Sequence, residues 1–519
     1  MELRHGRARP TGHLPPRGRA LVSIWLFAAG CVIPTAPLAG THCDATHPCQ
    51  SGACVSGLCG ASGAPGDGGA DAGTGFDAGS DAGPLTDAGP TDAGGLADAG
   101  AACPAGEMPF GGACVCQTSG LACQPPANAV GFCDGGIACD YVCQGGLMKC
   151  LTGCCGAVSL ESEGPGSCAL LGDGELRCWG VVDLDGVMPS PASPPMADGG
   201  APSNVRLVAI MGGDSAAGAI CAWTSGGLFC EGEGHDGETA TGDFQSHYGF
   251  VPAGLSADAG LVALAGGSSD ACAVTTAGTV ECWGSGVTWN GLSSSPTAIT
   301  TSGTADGGLL AGIASLALGY HHVCALAFDG GVSCWGDNNN GELGQGTAWG
   351  GPNPGPLPVS LPVSAPVVVL AAGGSESCAI LADGQVYCWG DGAPTTGASC
   401  ASPCPGPAWL PLPFRPVALA VGASGFACAL LDGGSVRCWG ANGLGETGAS
   451  PTGAAVPPSA ASLALAGATA VAAGDDFACA ITLDGGVVCW GGAENGQLGR
   501  SANLSADGGV GAPDFVYGG

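Results

Sequence analysis

Fourteen of the 31 cysteines fall into seven pairs: Cys168 with Cys178, Cys221 with Cys230, Cys272 with Cys282, Cys324 with Cys334, Cys378 with Cys388, Cys428 with Cys438, and Cys479 with Cys489. Their spacing points to oxidation, one thiol against the other, across a turn. In CALLGDGELRC (168–178) the two cysteine numbers and those of Leu170 and Leu176 have the same sum, the condition for residues that face each other in an antiparallel hairpin. Residues two apart share a face. Cys168–Cys178 and Leu170–Leu176 are therefore expected as neighbouring rungs, with Gly172, Asp173 and Gly174 left as the turn. In the second copy the cysteines are one residue closer, yet Trp223 and Leu228 keep the register and Ser225-Gly226 remains as a two-residue loop. Register that survives a change of loop length identifies cross-strand disulfides rather than small buried apolar residues. Each restrains the unfolded chain by about 2–3 kcal/mol.

The elements that must position these thiols repeat with them. The first cysteines of successive pairs lie 50 to 54 residues apart, and a fixed period of that size signals a propeller or a solenoid. Trp179, Trp283, Trp335, Trp389, Trp439 and Trp490 directly follow the second cysteine and so point to the opposite face. Both faces of each hairpin are then apolar, as in a sheet held between two others. The second copy carries Glu231 in that place, with Trp223 where other copies have Leu, Val or Ile. An apolar strand ending in small residues, VVVLAAGG (367–374), and a Pro-led segment, LPVSL (357–361), bring each unit to four short strands, the content of a propeller blade. The fold class is all-β: a seven-bladed β-propeller of four-stranded blades over 157–519, with one hairpin disulfide per blade. The first unit lacks a Pro-led strand, and APDFVY (512–517) is expected to join the first blade and close the ring.

Thiols at this density belong to an oxidising compartment. Residues 1–30 read as a signal peptide: Arg4, Arg7, Arg9, Arg17 and Arg19 precede the apolar run ALVSIWLFAAG. That run falls short of the roughly 20 apolar residues that a membrane helix needs. FAAGC resembles the lipobox of bacterial lipoproteins, which makes Cys31 the lipidation candidate and 31–42 a lipid-anchored N-terminus. Setting Cys31 aside leaves 30 cysteines, an even number. The net charge is −32, and beyond residue 30 six basic residues face 42 acidic ones. Nucleic acid is thereby excluded as a partner, because its affinity comes from Lys and Arg contacts to phosphate.

Cys43, Cys49, Cys54 and Cys59 define a four-cysteine mini-module at 43–59, with gaps unlike the close pairs of zinc sites. Residues 60–102, with six Asp-Ala-Gly triplets, lack the apolar side chains that repay folding entropy and read as a disordered linker. They also lack an EF-hand calcium loop. Ten cysteines within 103–156 mark a disulfide-rich module whose connectivity sequence does not supply.

The repeated unit resembles the regulator-of-chromosome-condensation repeat, a family of seven-bladed propellers. The residues that carry the resemblance are LALGYHHVCALAFDGGVSCWGDNNNGELGQGT (316–347), with weaker copies LAAGGSESCAILADGQVYCWG and VAAGDDFACAITLDGGVVCWGGAENGQLG. The founding member acts on a nuclear GTPase and binds chromatin. A secretion signal, disulfides and an acidic surface remove both premises here, and fold does not carry function. The resemblance extends to secreted bacterial propellers, one of them an inhibitor of β-lactamases, and to plant light sensors with clustered exposed tryptophans. Here blade packing accounts for the repeated tryptophans.

Catalysis finds little support in the histidines beyond residue 30, at 42, 47, 235, 247, 321 and 322. His322 matches the family's signature histidine, for which a structural hydrogen bond at the strand entry is expected. Asp329, Asp383, Asp432 and Asp484 precede turn glycines and serve those turns rather than acid–base chemistry. Cys400 and Cys404 lie in an insertion outside the clamps. A single C-x3-C lacks two zinc ligands, so a loop-stiffening disulfide is expected. No catalytic residue, metal site or cofactor is assigned. Trp289, Trp349 and Trp409 fall outside the repeat pattern and are the candidate binding residues, since exposed aromatics anchor interfaces. The expected function is a non-catalytic, monomeric binding scaffold that presents propeller loops to a protein or glycan. Its expected place is the bacterial envelope, as an outer-membrane lipoprotein facing the surface, or outside the cell, touching membrane only through a lipid anchor. A secreted enzyme inhibitor is the nearest alternative. A polysaccharide-active enzyme, which requires a carboxylate cluster in the mouth of the ring, is the alternative of another class.

Overall fold

A computed structural model of the chain describes residues 153–516 except 183–186, 198, 213–217, 289–290, 302–306, 349–352, 392–402, 452, 461–462, 464 and 500–513, together with residue 147 and short strands between 54 and 150. Seven antiparallel sheets succeed one another from residue 157 onward. Blade 1 comprises Ala157–Glu163, Gly166–Leu171, Leu176–Val181 and Val187–Ala192. Blade 4, the most regular copy, comprises Ile313–Leu318, His322–Ala327, Val332–Gly336 and Asn353–Pro358. Blades 2, 3, 5 and 7 repeat the four-stranded pattern. Blade 6 has three strands (Pro416–Gly422, Phe426–Leu431 and Val436–Gly440), and its fourth is reduced to a bridge between Gly440 and Val456.

The hairpin geometry follows the expected register. Cys168 faces Cys178 and Leu170 faces Leu176, while in blade 2 Trp223 faces Leu228 and Thr224 faces Gly227 around a two-residue loop. In the same way Cys272 faces Cys282 in blade 3, Cys428 faces Cys438 in blade 6, and Cys479 faces Cys489 in blade 7. All seven disulfides form, with Cα atoms 4.0 or 4.1 Å apart. The two strands of each clamp are buried on both faces, because they lie between neighbouring blades. Successive apolar layers fill the spaces between blades. In each complete layer the disulfide of one blade packs towards the tryptophan of the next. Cys221 and Cys230 lie with Trp283, and Cys324 and Cys334 lie with Trp389. Trp223 and Glu231 sit on opposite faces of blade 2, so one is not a substitute for the other. Trp223 joins the layer with blade 3, and Glu231 turns towards blade 1.

Ring closure differs from the expectation. Asp514–Phe515 pairs with Val487–Gly491, so the C-terminal strand completes blade 7, not blade 1. Blade 1 draws its fourth strand, VMPSPA, from its own sequence. Prolines are tolerated there because an outer strand has only one paired edge. The ring closes by packing and loop contacts instead. Trp179 lies in one layer with Phe477, Cys479, Leu498 and Val516, and the Ala157 N–H donates to the Gly485 carbonyl at 2.8 Å. The fourth strand of blade 4 also runs slightly upstream of the expected LPVSL, with Leu357 opposite Cys334.

Before the propeller, backbone hairpins place Cys54 opposite Cys59, Cys114 opposite Cys123 and Cys133 opposite Cys139. Met148 is buried in the layer that joins blades 7 and 1. The signal region, Cys31 and the linker at 60–102 lie outside the described residues. Among the described residues, no helix is long and apolar enough to cross a membrane.

Candidate functional site

The first strand of each blade lines the central channel, where a cavity of about 150 Å³ remains. Its walls are mainly alkyl side chains, among them Leu316, Leu370, Ala371, Leu419 and Ala472. Blade 1 breaks the pattern with Glu161 and Glu163. Glu161 faces Cys168, and at that register position the other six blades carry Ala209, Ala265, Ala317, Ala371, Ala420 and Ala472. Burial pushes the Glu161 carboxyl up to about 8. Glu163 is raised well above the usual range, first by burial and then by the charges of Asp475, Asp270 and Glu161.

The loops between first and second strands surround one mouth of this channel and bond blade to blade. The Ser268 N–H donates to Tyr320 O, the Tyr320 N–H to Gly374 O, and the Asp475 N–H to Gly164 O. The Tyr320 hydroxyl donates to Asp475 Oδ1 at 3.4 Å, tying blade 4 to blade 7. Asp270 is fully buried, 3.9 Å from His321 Nδ1, and neither carboxyl oxygen has a hydrogen-bond partner. Burial raises it to about 7 against the opposing effect of His321. Sequence reading missed this cluster, because its members occupy different positions in different repeats and meet only when the ring closes.

The residues singled out in the sequence have separate fates. His322 is buried and neutral, lowered to about 3 by burial and the neighbouring His321, and its Nε2 lies 2.8 Å from Ser377 Oγ of blade 5. Its bond is thus structural, but it joins two blades rather than entering a strand. Asp329 and Asp383 accept the N–H groups of Gly331 and Gln385 inside their turns. Trp409 stands on the outer strand of blade 5, opposite Tyr387 and 48% exposed. Trp289, Trp349 and Cys400 lie outside the described residues. Cys404 is buried and disulfide-bonded. The one described group with metal-ligand spacing, Glu376 with Cys378 and Cys388, has both sulfurs committed to a disulfide.

A second feature that sequence reading passed over explains the tryptophans. Trp283, Trp389, Trp490 and Trp179 donate their indole N–H to the carbonyls of Glu238, Glu342, Glu446 and Gln497, each in the loop after the third strand of the preceding blade. Each of those four side chains folds back to accept a backbone N–H two residues earlier, from Asp236, Asn340, Leu444 or Asn495. The glycine just before each, Gly237, Gly341, Gly445 or Gly496, has positive φ, which suits glycine. The short signal G-[EQ]-[LT] therefore builds a latch for the next blade. Trp335 uses Val287 O instead.

Comparison with known proteins agrees with the architecture. Residues 313–342, 367–393, 417–446 and 468–497, within blades 4 to 7, match the family described as Regulator of chromosome condensation (RCC1) repeat. The structure is similar to yeast RCC1 (Prp20) bound to Kap60, at TM-score 0.52 and 18% identity, over 66% of this chain and 83% of that one. It is likewise similar to Prp20p from Saccharomyces cerevisiae, at TM-score 0.51 and 18% identity, over 67% and 86% of the two chains. Human WBSCR16 follows at TM-score 0.49 and 16% identity, over 65% and 88%. Blade order and ring packing converge: the protein is a seven-bladed β-propeller with a disulfide clamp in every blade, and its blades 4 to 7 carry segments that match the RCC1 repeat.

Proposed function

We propose that this propeller is a non-catalytic binding scaffold of an extracytoplasmic, oxidising compartment, presenting its inter-blade loops and outer strands to a protein or glycan partner. The observation that carries the reading is Trp409. It stands half exposed on the outer strand of blade 5, at the end of an insertion anchored by the buried Cys404, while the repeated tryptophans are all buried. An aromatic held on a rigid strand is suited to anchor an interface. Gsp1p and histones, whose binding by yeast Prp20p has been studied, are not the partners we propose for a protein whose disulfides require oxidising surroundings. The finer address, a bacterial envelope with a lipid on Cys31, rests on the N-terminal sequence, and the mass of the mature N-terminal peptide tests it.

The binding reading is tested by crosslinking on intact cells with the wild-type protein and Trp409→Ala. Partners retained by the wild type and lost from the variant support it; capture unaffected by the substitution removes Trp409 as the anchor. The carboxylates at the channel mouth favour a second reading, a polysaccharide-active enzyme. Against it, Asp270 is closed to solvent and the channel walls are alkyl rather than sugar-binding. Hydrolysis of a polysaccharide that is abolished by Glu163→Gln would establish it.

A further inference from the structure

Two features of the channel belong together. Its walls are aliphatic, from residues such as Leu316, Leu370 and Ala420, and among the described residues no Lys or Arg lines it. One stripe of one blade is acidic. Glu161 and Glu163 share a face two residues apart; the place of Glu161 is alanine in the other six blades, and that of Glu163 is glycine in blades 5 and 6 and Met211 in blade 2. The Glu161 carboxyl has no hydrogen-bond or ion-pair partner among the described residues. Asp270, which lies 3.9 Å from His321 Nδ1, is close enough to this stripe for its charge to act on Glu163. Holding the Glu161 carboxyl partly enclosed and without a partner costs stability, and alanine there would avoid that cost, as it does in six blades.

We propose that the channel beside blade 1 is a binding site for an alkylammonium group, with Glu161 and Glu163 receiving the charged end and the leucine and alanine walls receiving the methylenes. A cavity of about 150 Å³ is of the size of a short aliphatic chain. An ammonium supplies up to three hydrogen-bond donors, and a carboxylate only accepts. A bound ammonium within a few ångströms would favour the ionised form of both carboxyl groups against the effect of burial. Two sources share this chemistry: a free diamine and a lysine side chain of a partner protein. The inference stands apart from the loop-binding reading, because the channel can bind an amine whether or not Trp409 anchors a partner.

The test is calorimetric titration of the full-length protein with 1,5-diaminopentane and, in a parallel arm, with Nα-acetyl-lysine amide. The control is the double variant Glu161→Ala/Glu163→Gly, which gives blade 1 the residues found at these positions in blades 5 and 6, Ala371 and Gly373, Ala420 and Gly422. Melting temperature monitors its fold. Binding of either probe by the wild type, weakened about tenfold or more in the folded double variant, supports the site, and the tighter probe identifies the source. Absence of binding to both probes at millimolar concentration overturns the proposal, as does equal binding by the variant. Displacement of either amine by calcium at equal concentration would assign the carboxyl groups to a metal and overturn it too.

Discussion

The seam between blades 4 and 5 and the seam between blades 1 and 2 are built from the same repeat, yet only the first is complete. At the 4–5 seam, Trp389 fills the layer and its N–H meets Glu342 O at 2.7 Å, while His322 reaches Ser377. At the 1–2 seam there is no tryptophan. Glu231 occupies its place, and the loop of blade 1, VVDLDG (181–186), has no G-[EQ]-[LT] signal. Donor and acceptor loop are missing together. Absence of the signal does not by itself remove the indole, since Trp335 of blade 4 finds Val287 O in blade 3, which also lacks it; at the 1–2 seam a carboxyl group stands in place of the donor altogether.

The largest expected effect breaks that comparison directly. Trp389→Ala should lower stability by about 3–5 kcal/mol, the usual cost of removing a buried aromatic. Glu231→Gln, which keeps its volume, should change stability by under about 1.5 kcal/mol. Denaturant melts of both variants check this, and equal losses would mean that the two seams are not different in kind. Next comes removal of a clamp. Cys324→Ala/Cys334→Ala and Cys221→Ala/Cys230→Ala should each cost about 2–4 kcal/mol by the same assay. The register is the same in both hairpins, so a neutral result in blade 2 alone would show that its clamp serves another purpose.

The pH profile sharpens the contrast between a neutral histidine and a strained carboxyl. His322 lies near 3 in the folded protein, below its ordinary 6.5. The unfolded chain therefore binds the proton first, and this seam loses stability as pH falls from about 6.5 towards 3. Glu161 lies near 8, above its ordinary 4.5. The folded chain keeps a proton that the unfolded chain releases, so stability declines as pH rises from about 4.5 to 8. Urea midpoints across this range should lose the acid slope in His322→Gln and the neutral-to-alkaline slope in Glu161→Ala. Slopes unchanged by either substitution would reject the assignment. The smallest effect belongs to Trp409→Ala, which should move stability by no more than about 0.5 kcal/mol because the side chain is half exposed. A larger loss would place Trp409 in packing rather than recognition.

Much of the blade is legible in the sequence because its determinants are local. The turn between Cys168 and Cys178 fixes which residues face each other, and Trp179 follows from the two-residue alternation of a strand. The fourth strands are harder to read. VMPSPA in blade 1 has the composition of a proline-rich loop, and Asp514–Phe515 completes blade 7 where its pattern suggests blade 1, because an outer strand is chosen by the free edge next to it and not by its own sequence. The G-[EQ]-[LT] loops are visible as letters, but their role depends on an indole about 45 residues away.

By itself the sequence determined the hairpins, their disulfides, the period and hence the ring of seven, since each depends on contacts within about ten residues repeated at a fixed interval. Only the tertiary structure decided which blade receives the last strand, that the loops latch the tryptophans, and that Glu161, Glu163, Asp270 and Asp475 meet at one mouth. Those groups lie as much as 314 residues apart in the chain. Closing the ring brings them within reach of one another's charge, and no local pattern encodes that distance.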